Sequence, residues 1–270
     1  MWVWWLLISV VSAYHTTDKL LSLAETHCHG PMTCRHHEDI LLLDWDSPSE
    51  DRVLLVFNEH ARERITGELA LALAEKIHEW QPQVDVTIIP VLNVWGRKYV
   101  EHGHPCQRKN SRGVDTNRNY QMAANRHHYL RQSEEYEGPR PLSEKESKLV
   151  SNELVDVKKY VNIHSGEFSL YQPYDSRLIP APHYQKMRKQ LEKWSHMCPK
   201  CVTGPAAKMS FYKAYGTSVD WAIDHGVSES YTFEIFGRET RDCDRMFNPV
   251  HIQGTLDMWL PILKDVLETF

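Results

Sequence analysis

The sequence predicts an α/β protein folded as one domain, and three observations lead there. Its 270 residues are enough to bury a large single core. Segments with strand character alternate with segments of helical spacing, the pattern of a layered α/β sheet. No internal repeat, low-complexity linker or abrupt change of composition marks a domain boundary. A hydrophobic content of 41% and a charged content of 25% are ordinary for a globular chain.

The chain opens MWVWWLLISVVSAYH, apolar from residue 2 to residue 11 apart from Ser9. That run is shorter than the ~20 residues needed to span a bilayer. With Val11-Ser12-Ala13 as a small-residue cleavage site, residues 1–13 read as a short secretory signal peptide, although no basic residue follows Met1. A buried N-terminal strand is the bland alternative. DILLLDW and RVLLVF then read as successive strands, joined as a hairpin by the turn-rich DSPSED. TGELALALAEKIHEW has the apolar spacing of a helix. DVTIIPVLNV reads as a buried strand, which completes a strand–helix–strand unit.

Residues 98–120 form a polar loop with Arg108, Arg112 and Arg118, and Arg97 lies just before it. Glu144–Lys158 is helical, and KYVNIHS is a strand ending in His164. HYQKMRKQLEKWSHM and DWAIDHG are helices, while SYTFEIFG alternates like a strand and carries Glu234. TLDMWLPILKDVLETF closes the chain as an amphipathic helix interrupted by Pro261.

A formal charge of −5 argues against a nucleic-acid binder. Beyond the leader, no segment approaches membrane-spanning length. The six cysteines (Cys28, Cys34, Cys106, Cys198, Cys201 and Cys243) favour disulfides behind a signal peptide and allow fifteen pairings. Cys28 and Cys34 are close enough to staple a short loop. MCPKC has the spacing of a redox pair or half a zinc ribbon, but no second CxxC completes a ribbon, and a structural role is favoured. No Asn-x-Ser/Thr acceptor occurs.

Sixteen histidines make metal chemistry worth testing. In NEHARERITGELA, His60 and Glu63 stand three apart where a strand gives way to a helix, so both can face one point. The motif alone is weak, because His164 and Glu167 repeat it, and a charged first helical turn would look the same. Its company raises the odds. His164 ends a strand about a hundred residues later, a suitable third ligand from a separate element. Glu234 sits inside an apolar, aromatic strand, where an isolated charge is costly unless the residue faces solvent.

Together these residues resemble the zinc carboxypeptidases of the carboxypeptidase A type, from about residue 50 to 250. HARE followed by a helix matches the family's first ligand pair, and QRKNSRGVDTNRNY resembles its arginine-rich stretch, much shortened. NIHS matches the third ligand, SFYKAYGTSVDW the tyrosine loop and YTFEIF the catalytic glutamate strand. The wording of EHARE, ITGELAL and DCDRMFNPV is closer to plant and protist members than to digestive enzymes. The resemblance implies a central mixed, mostly parallel twisted sheet flanked by helices, with residues 14–270 as the catalytic domain.

The resemblance also implies one zinc ion per chain on His60, Glu63 and His164, with Glu234 as general base and acid. Arg108 would stand over the scissile carbonyl oxygen. Asn117 and Arg118 would grip the substrate's terminal carboxylate, Tyr212 would close over it, and Arg62 would be a further substrate contact. Arg64 and Arg112 match nothing in particular and read as surface residues. Val219 is apolar where digestive enzymes carry their specificity determinant. Asp175 falls where prohormone-processing members carry an acid that receives Lys or Arg side chains, so a preference for basic C-terminal residues is expected. Gly166 and Glu167 depart from the bulkier residues of digestive members near the adjoining subsite.

The expected substrate is therefore a peptide or protein C-terminus, handled by a secreted monomer. Few residues lie between the leader and the first strand, and few follow Glu234, so a bare catalytic domain is expected. The rival enzyme is an amidohydrolase of the same fold acting on N-acyl amino acids; the tyrosine loop and intact NRN spacing favour the peptidase. A carboxypeptidase-like binding protein without catalysis would be expected to lack a ligand or the base, and both are present. A redox protein built on CPKC lacks the setting that motif needs.

Overall fold

The computed structural model describes residues 14–120 and 127–269, and the leader expected at 1–13 lies outside them. In chain order the first half contains α1 (Thr17–Glu25), β1 (Met32–His37), β2 (Ile40–Trp45), β3 (Arg52–Phe57), α2 (Arg64–Trp80), β4 (Asp85–Ile89) and α3 (Val94–Glu101). A 3-10 turn at Thr116–Arg118 precedes α4 (Lys145–Glu153), β5 (Lys159–His164), β6 (Phe168–Gln172) and α5 (Tyr184–Met197). The remainder is β7 (Val202–Pro205), α6 (Ala206–Met209), α7 (Ser218–Asp224), β8 (Glu229–Ile235), α8 (Cys243–Phe247) and α9 (Gln253–Glu268).

The strands form one sheet in the order β1-β2-β4-β3-β5-β8-β6-β7. The central pairs β4-β3, β3-β5 and β5-β8 are parallel, as is β6-β7, and the other three pairs are antiparallel. This is the mixed, mostly parallel sheet expected. Alternation along β3 divides the core between two faces. Val53, Leu55 and Phe57 pack on the side of α2, α5 and α9, while Leu54 and Val56 pack with Leu149 and Val150 of α4 and Ala222 of α7. Lys159, fully buried at the start of β5, donates from Nζ to Val266 O at 3.0 Å and complements the carbonyl end of α9.

Several expectations need correction. β2 and β3 are not a hairpin, because β4 lies between them and pairs with both. The crossover through α2 returns the chain parallel to β3 on the side that a hairpin partner would have taken. The strand drawn from DVTIIPVLNV ends at Ile89, before Pro90, and the polar loop expected from residue 98 has its first four residues in the helix Val94–Glu101. Asn93 starts that helix by accepting from Gly96 N at 2.9 Å. Pro261 lies inside an unbroken α9, where burial of Trp259, Ile262, Leu263 and Val266 outweighs the missing hydrogen bond. The sheet begins one strand earlier than expected, with the mostly exposed edge strand β1.

All six cysteines are paired, as Cys28–Cys34, Cys106–Cys243 and Cys198–Cys201, so CPKC closes a short structural loop. On the α5 face, Trp194 is fully buried, edge-on to Tyr231 and Phe233 with ring centres 4.9 and 5.3 Å away. Its indole donates to Asp265 Oδ2 at 2.8 Å. Replacing Trp194 with alanine is expected to cost about 3–5 kcal/mol, read as a lower urea midpoint at unchanged slope.

Candidate functional site

The C-terminal ends of β3, β5 and β8 open onto a cavity of about 310 Å³, the position where parallel sheets place their ligands. After β3, Asn58 adopts a left-handed φ of 50°, a conformation asparagine tolerates. Its N–H donates to Thr66 Oγ1 at 2.9 Å and its Nδ2 to His60 O at 2.8 Å. The turn brings His60 and Glu63 back over the strand ends before α2 begins. His164 is the last residue of β5, and its partner in register on β8 is Glu234. Register partners project to the same face, so the sheet itself sets these two side by side.

His60 Nδ1 lies 2.8 Å from Glu63 Oε1 and 3.1 Å from His164 Nδ1, and His164 Nδ1 lies 3.0 Å from Glu63 Oε2. All three residues are buried, with one donor atom from each inside a 4.8 Å group. Two nitrogens bound about 2.05 Å from a tetrahedral zinc ion are about 3.3 Å apart, so this N, N, O set fits zinc. The charges are arranged accordingly. Burial disfavours the Glu63 carboxylate, but His60 and His164 outweigh it and hold its pKa below the usual range. Burial likewise opposes charge on His164, yet Glu63 raises its pKa to about 9.

A further carboxylate orients this group. Asp115 Oδ1 lies 3.2 Å from His60 Nε2 and accepts Asn117 N at 3.0 Å. Asp115 Oδ2 receives Arg108 Nε at 2.8 Å, with Arg108 Nη2 at 2.7 Å. Despite full burial, Arg108, His60 and Arg118 keep Asp115 ionised far below the normal carboxylate range. Such an outer partner fixes the tautomer and tilt of a ligating imidazole. The sequence reading missed Asp115, whose only signal is an acid standing two residues before Asn117 in a cationic stretch. On the other imidazole, His164 Nε2 faces Asn117 Nδ2 at 3.3 Å and Glu59 Oε2 at 3.8 Å.

Arg108, Asn117, Arg118, Asp175, Tyr212 and Glu234 all line the same cavity as His60, Glu63 and His164. Glu234 Oε2 is buried and has no hydrogen-bond partner among the described residues. Burial and the nearby Glu63 push its pKa up to about 8. A Cβ on Gly166 would lie 3.6 Å from that oxygen and 3.3 Å from the Phe247 ring, so any side chain there would narrow the space before Glu234. Asn117 is turned inward, accepting Ser218 N at 2.9 Å through Oδ1. Arg118 is buried, while Tyr212 is partly exposed at the rim. Arg62 stands outside the lining, 4.4 Å over the Phe247 ring.

Asp175 is buried, and its Oδ1 has no hydrogen-bond partner among the described residues. Val219 packs into the core with Tyr160 and Ala222 rather than lining the cavity. Arg64 is less of a surface residue than expected: it pairs with Asp244 at 2.8 Å and covers the Tyr14 ring. Arg112 is exposed, as expected. No helix among the described residues is long and apolar enough to cross a membrane.

Residues 36–254 match the sequence pattern of the zinc carboxypeptidase family, Peptidase_M14. The chain is 28% identical over 228 residues to carboxypeptidase B of Rattus norvegicus, covering 73% of this chain and 54% of that protein. It is 30% identical over 204 residues to carboxypeptidase A4 of Mus musculus, covering 65% of this chain and 48% of that protein. The chain thus spans about half the length of the curated relatives it matches. The solved bovine thrombin-activatable fibrinolysis inhibitor, in complex with tick carboxypeptidase inhibitor, has the same fold at a TM-score of 0.83 and 22% identity. That likeness covers 96% of this chain and 98% of that one. With the family pattern extending over most of its length, the chain belongs to the zinc carboxypeptidases.

Proposed function

We propose that this protein removes single residues from the C-termini of peptides, using zinc held by His60, Glu63 and His164. The observation that carries this reading is the buried three-donor group beside the unpartnered Glu234 oxygen, both facing one cavity. When bound, zinc supplies Lewis acidity that polarises the scissile carbonyl and acidifies water. Glu234 takes a proton from the attacking water and returns it to the departing amine. A buried carboxylate whose affinity for protons is raised suits both halves of that task. Arg108, held by Asp115, presents its cation to the developing oxyanion. Arg118 grips the terminal carboxylate and Tyr212 closes over it, with Asn117 fixing the floor beneath them.

The side chain of the residue removed enters toward Asp175, whose buried, unpartnered oxygen supports a preference for Arg or Lys. Residues 1–13 then act as the secretory leader and 14–270 as the catalytic domain. Three disulfides support an oxidising compartment for it.

Glu234→Gln is expected to keep zinc, by elemental analysis, while losing turnover; near-normal activity would remove Glu234 from the mechanism. Burial and the neighbouring Asp220 push Asp175 up to about 7, so it is neutral below that pH and anionic above it. The ratio of kcat/KM for hippuryl-Arg over hippuryl-Phe should therefore rise between about pH 6 and 8, and stay flat in Asp175→Asn. Faster cleavage of the Phe substrate throughout would reject the basic preference. Asp115→Asn should weaken zinc binding about 10–100-fold in a chelator competition.

A further inference from the structure

Two adjacent acids outside the cavity lining, Glu134 and Glu135, pair with side chains read as substrate contacts. Arg118 Nη2 donates to Glu135 Oε1 at 3.1 Å, and the Tyr212 hydroxyl donates to the same oxygen. Arg62 Nη1 donates to both carboxylate oxygens of Glu134 at 3.1 Å. Three side chains read as substrate contacts thus direct hydrogen bonds to one short segment. That segment is strapped in place from below. Lys109 Nζ donates to Ser133 O at 2.8 Å, and Asp115 N donates to Tyr136 O at 2.8 Å. Ser133 Oγ also accepts Glu135 N at 3.1 Å.

A carboxylate held by a buried arginine and a tyrosine hydroxyl has the chemistry that a peptide's C-terminus would need here. Arg118 Nη1 is already committed to Asn117 O at 2.9 Å, and the Tyr212 hydroxyl has a single proton to donate, so it cannot serve Glu135 and a peptide carboxylate at once. Beside Tyr212, Phe211 is 95% exposed and has a φ of 56°. A bulky side chain in the left-handed region is a strained arrangement of the kind found in loops that move.

We propose that Glu135 is an internal substitute for the substrate's terminal carboxylate, a gate that occupies Arg118 and Tyr212 until a peptide displaces it. In the empty site the gate keeps both receptor groups ordered and the tyrosine loop closed. Peptide binding then exchanges one carboxylate for another, and Glu135 swings outward into solvent, where its side chain is already 30% exposed. The gate lowers affinity for every substrate alike, because the group it mimics is common to all C-termini. The proposal rests on the reading of Arg118 and Tyr212 as receivers of that carboxylate.

The test compares the zinc-loaded full chain with Glu135→Gln, Arg118→Met and the double variant. KM and kcat are measured separately on hippuryl-Arg, and binding of free L-arginine by calorimetry. For Glu135→Gln we expect KM and the Kd of L-arginine to fall together, about three- to ten-fold, with kcat nearly unchanged. In Arg118→Met, KM should rise at least about 100-fold, and adding Glu135→Gln should then change nothing. Unchanged or weaker binding in Glu135→Gln, with Arg118→Met behaving as expected, overturns the gate alone. An unaltered KM in Arg118→Met overturns the reading on which the gate rests.

Discussion

Everything in this molecule depends on keeping two imidazole nitrogens about 3 Å apart against one carboxylate, away from water. Such a cluster is electrostatically demanding, because its members lose hydration and must be compensated by one another and by Asp115, Asn117 and the Ser165 N–H. The parallel core of the sheet makes it possible. His164 is fixed by β5 and Glu234 by the register of β8 against it. The turn after β3 then delivers the remaining pair. The placements of His164 on β5 and Glu234 on β8 are therefore properties of the sheet, and a slip of one residue between these strands would turn one of them away.

Asp115 extends the same logic outward. Its two oxygens divide their work between His60 on one side and Arg108 on the other. The anchor of the candidate metal-ligand group is thereby also the anchor of Arg108, the cation proposed to meet the oxyanion. Its own N–H reaches Tyr136 O, which links this shared post to the segment carrying Glu134 and Glu135. The three-donor group, Arg108 and the segment of Glu134 and Glu135 are linked through this one residue.

Much of the site was legible in the sequence because its signals are local. His60 and Glu63 lie within one turn of chain, and Asn117 and Arg118 are consecutive. His164 and Glu234 each stand out against an apolar strand. Asp115 and Glu135 were not legible, since their partners lie in other segments and their neighbours give only ordinary polar spacing. The same division holds for the fold. α2, β5 and β8 lie where their segments were expected, and so does α9 apart from the interruption expected at Pro261. β4 enters between β2 and β3 through long-range pairing, which no local pattern reports. α1 and α3, of nine and eight residues, are too short for their apolar spacing to stand out, and the edge strand β1 is mostly polar and exposed. Pro261 was over-read, because a local preference yielded to the burial of a whole helix face.

The Cys106–Cys243 bridge has a meaning beyond cross-linking distant sequence. One end lies two residues before Arg108, and the other begins α8, whose last residue is the cavity-lining Phe247. Two neighbouring segments of the cavity wall are thus cross-linked by a redox-sensitive bond. Thiol–disulfide poise becomes one of the variables that define the shape of the site, alongside metal supply and pH. A pool of reductant sufficient to open this bond would loosen the seat of Arg108 and the Phe247 wall together, leaving the sheet beneath them intact.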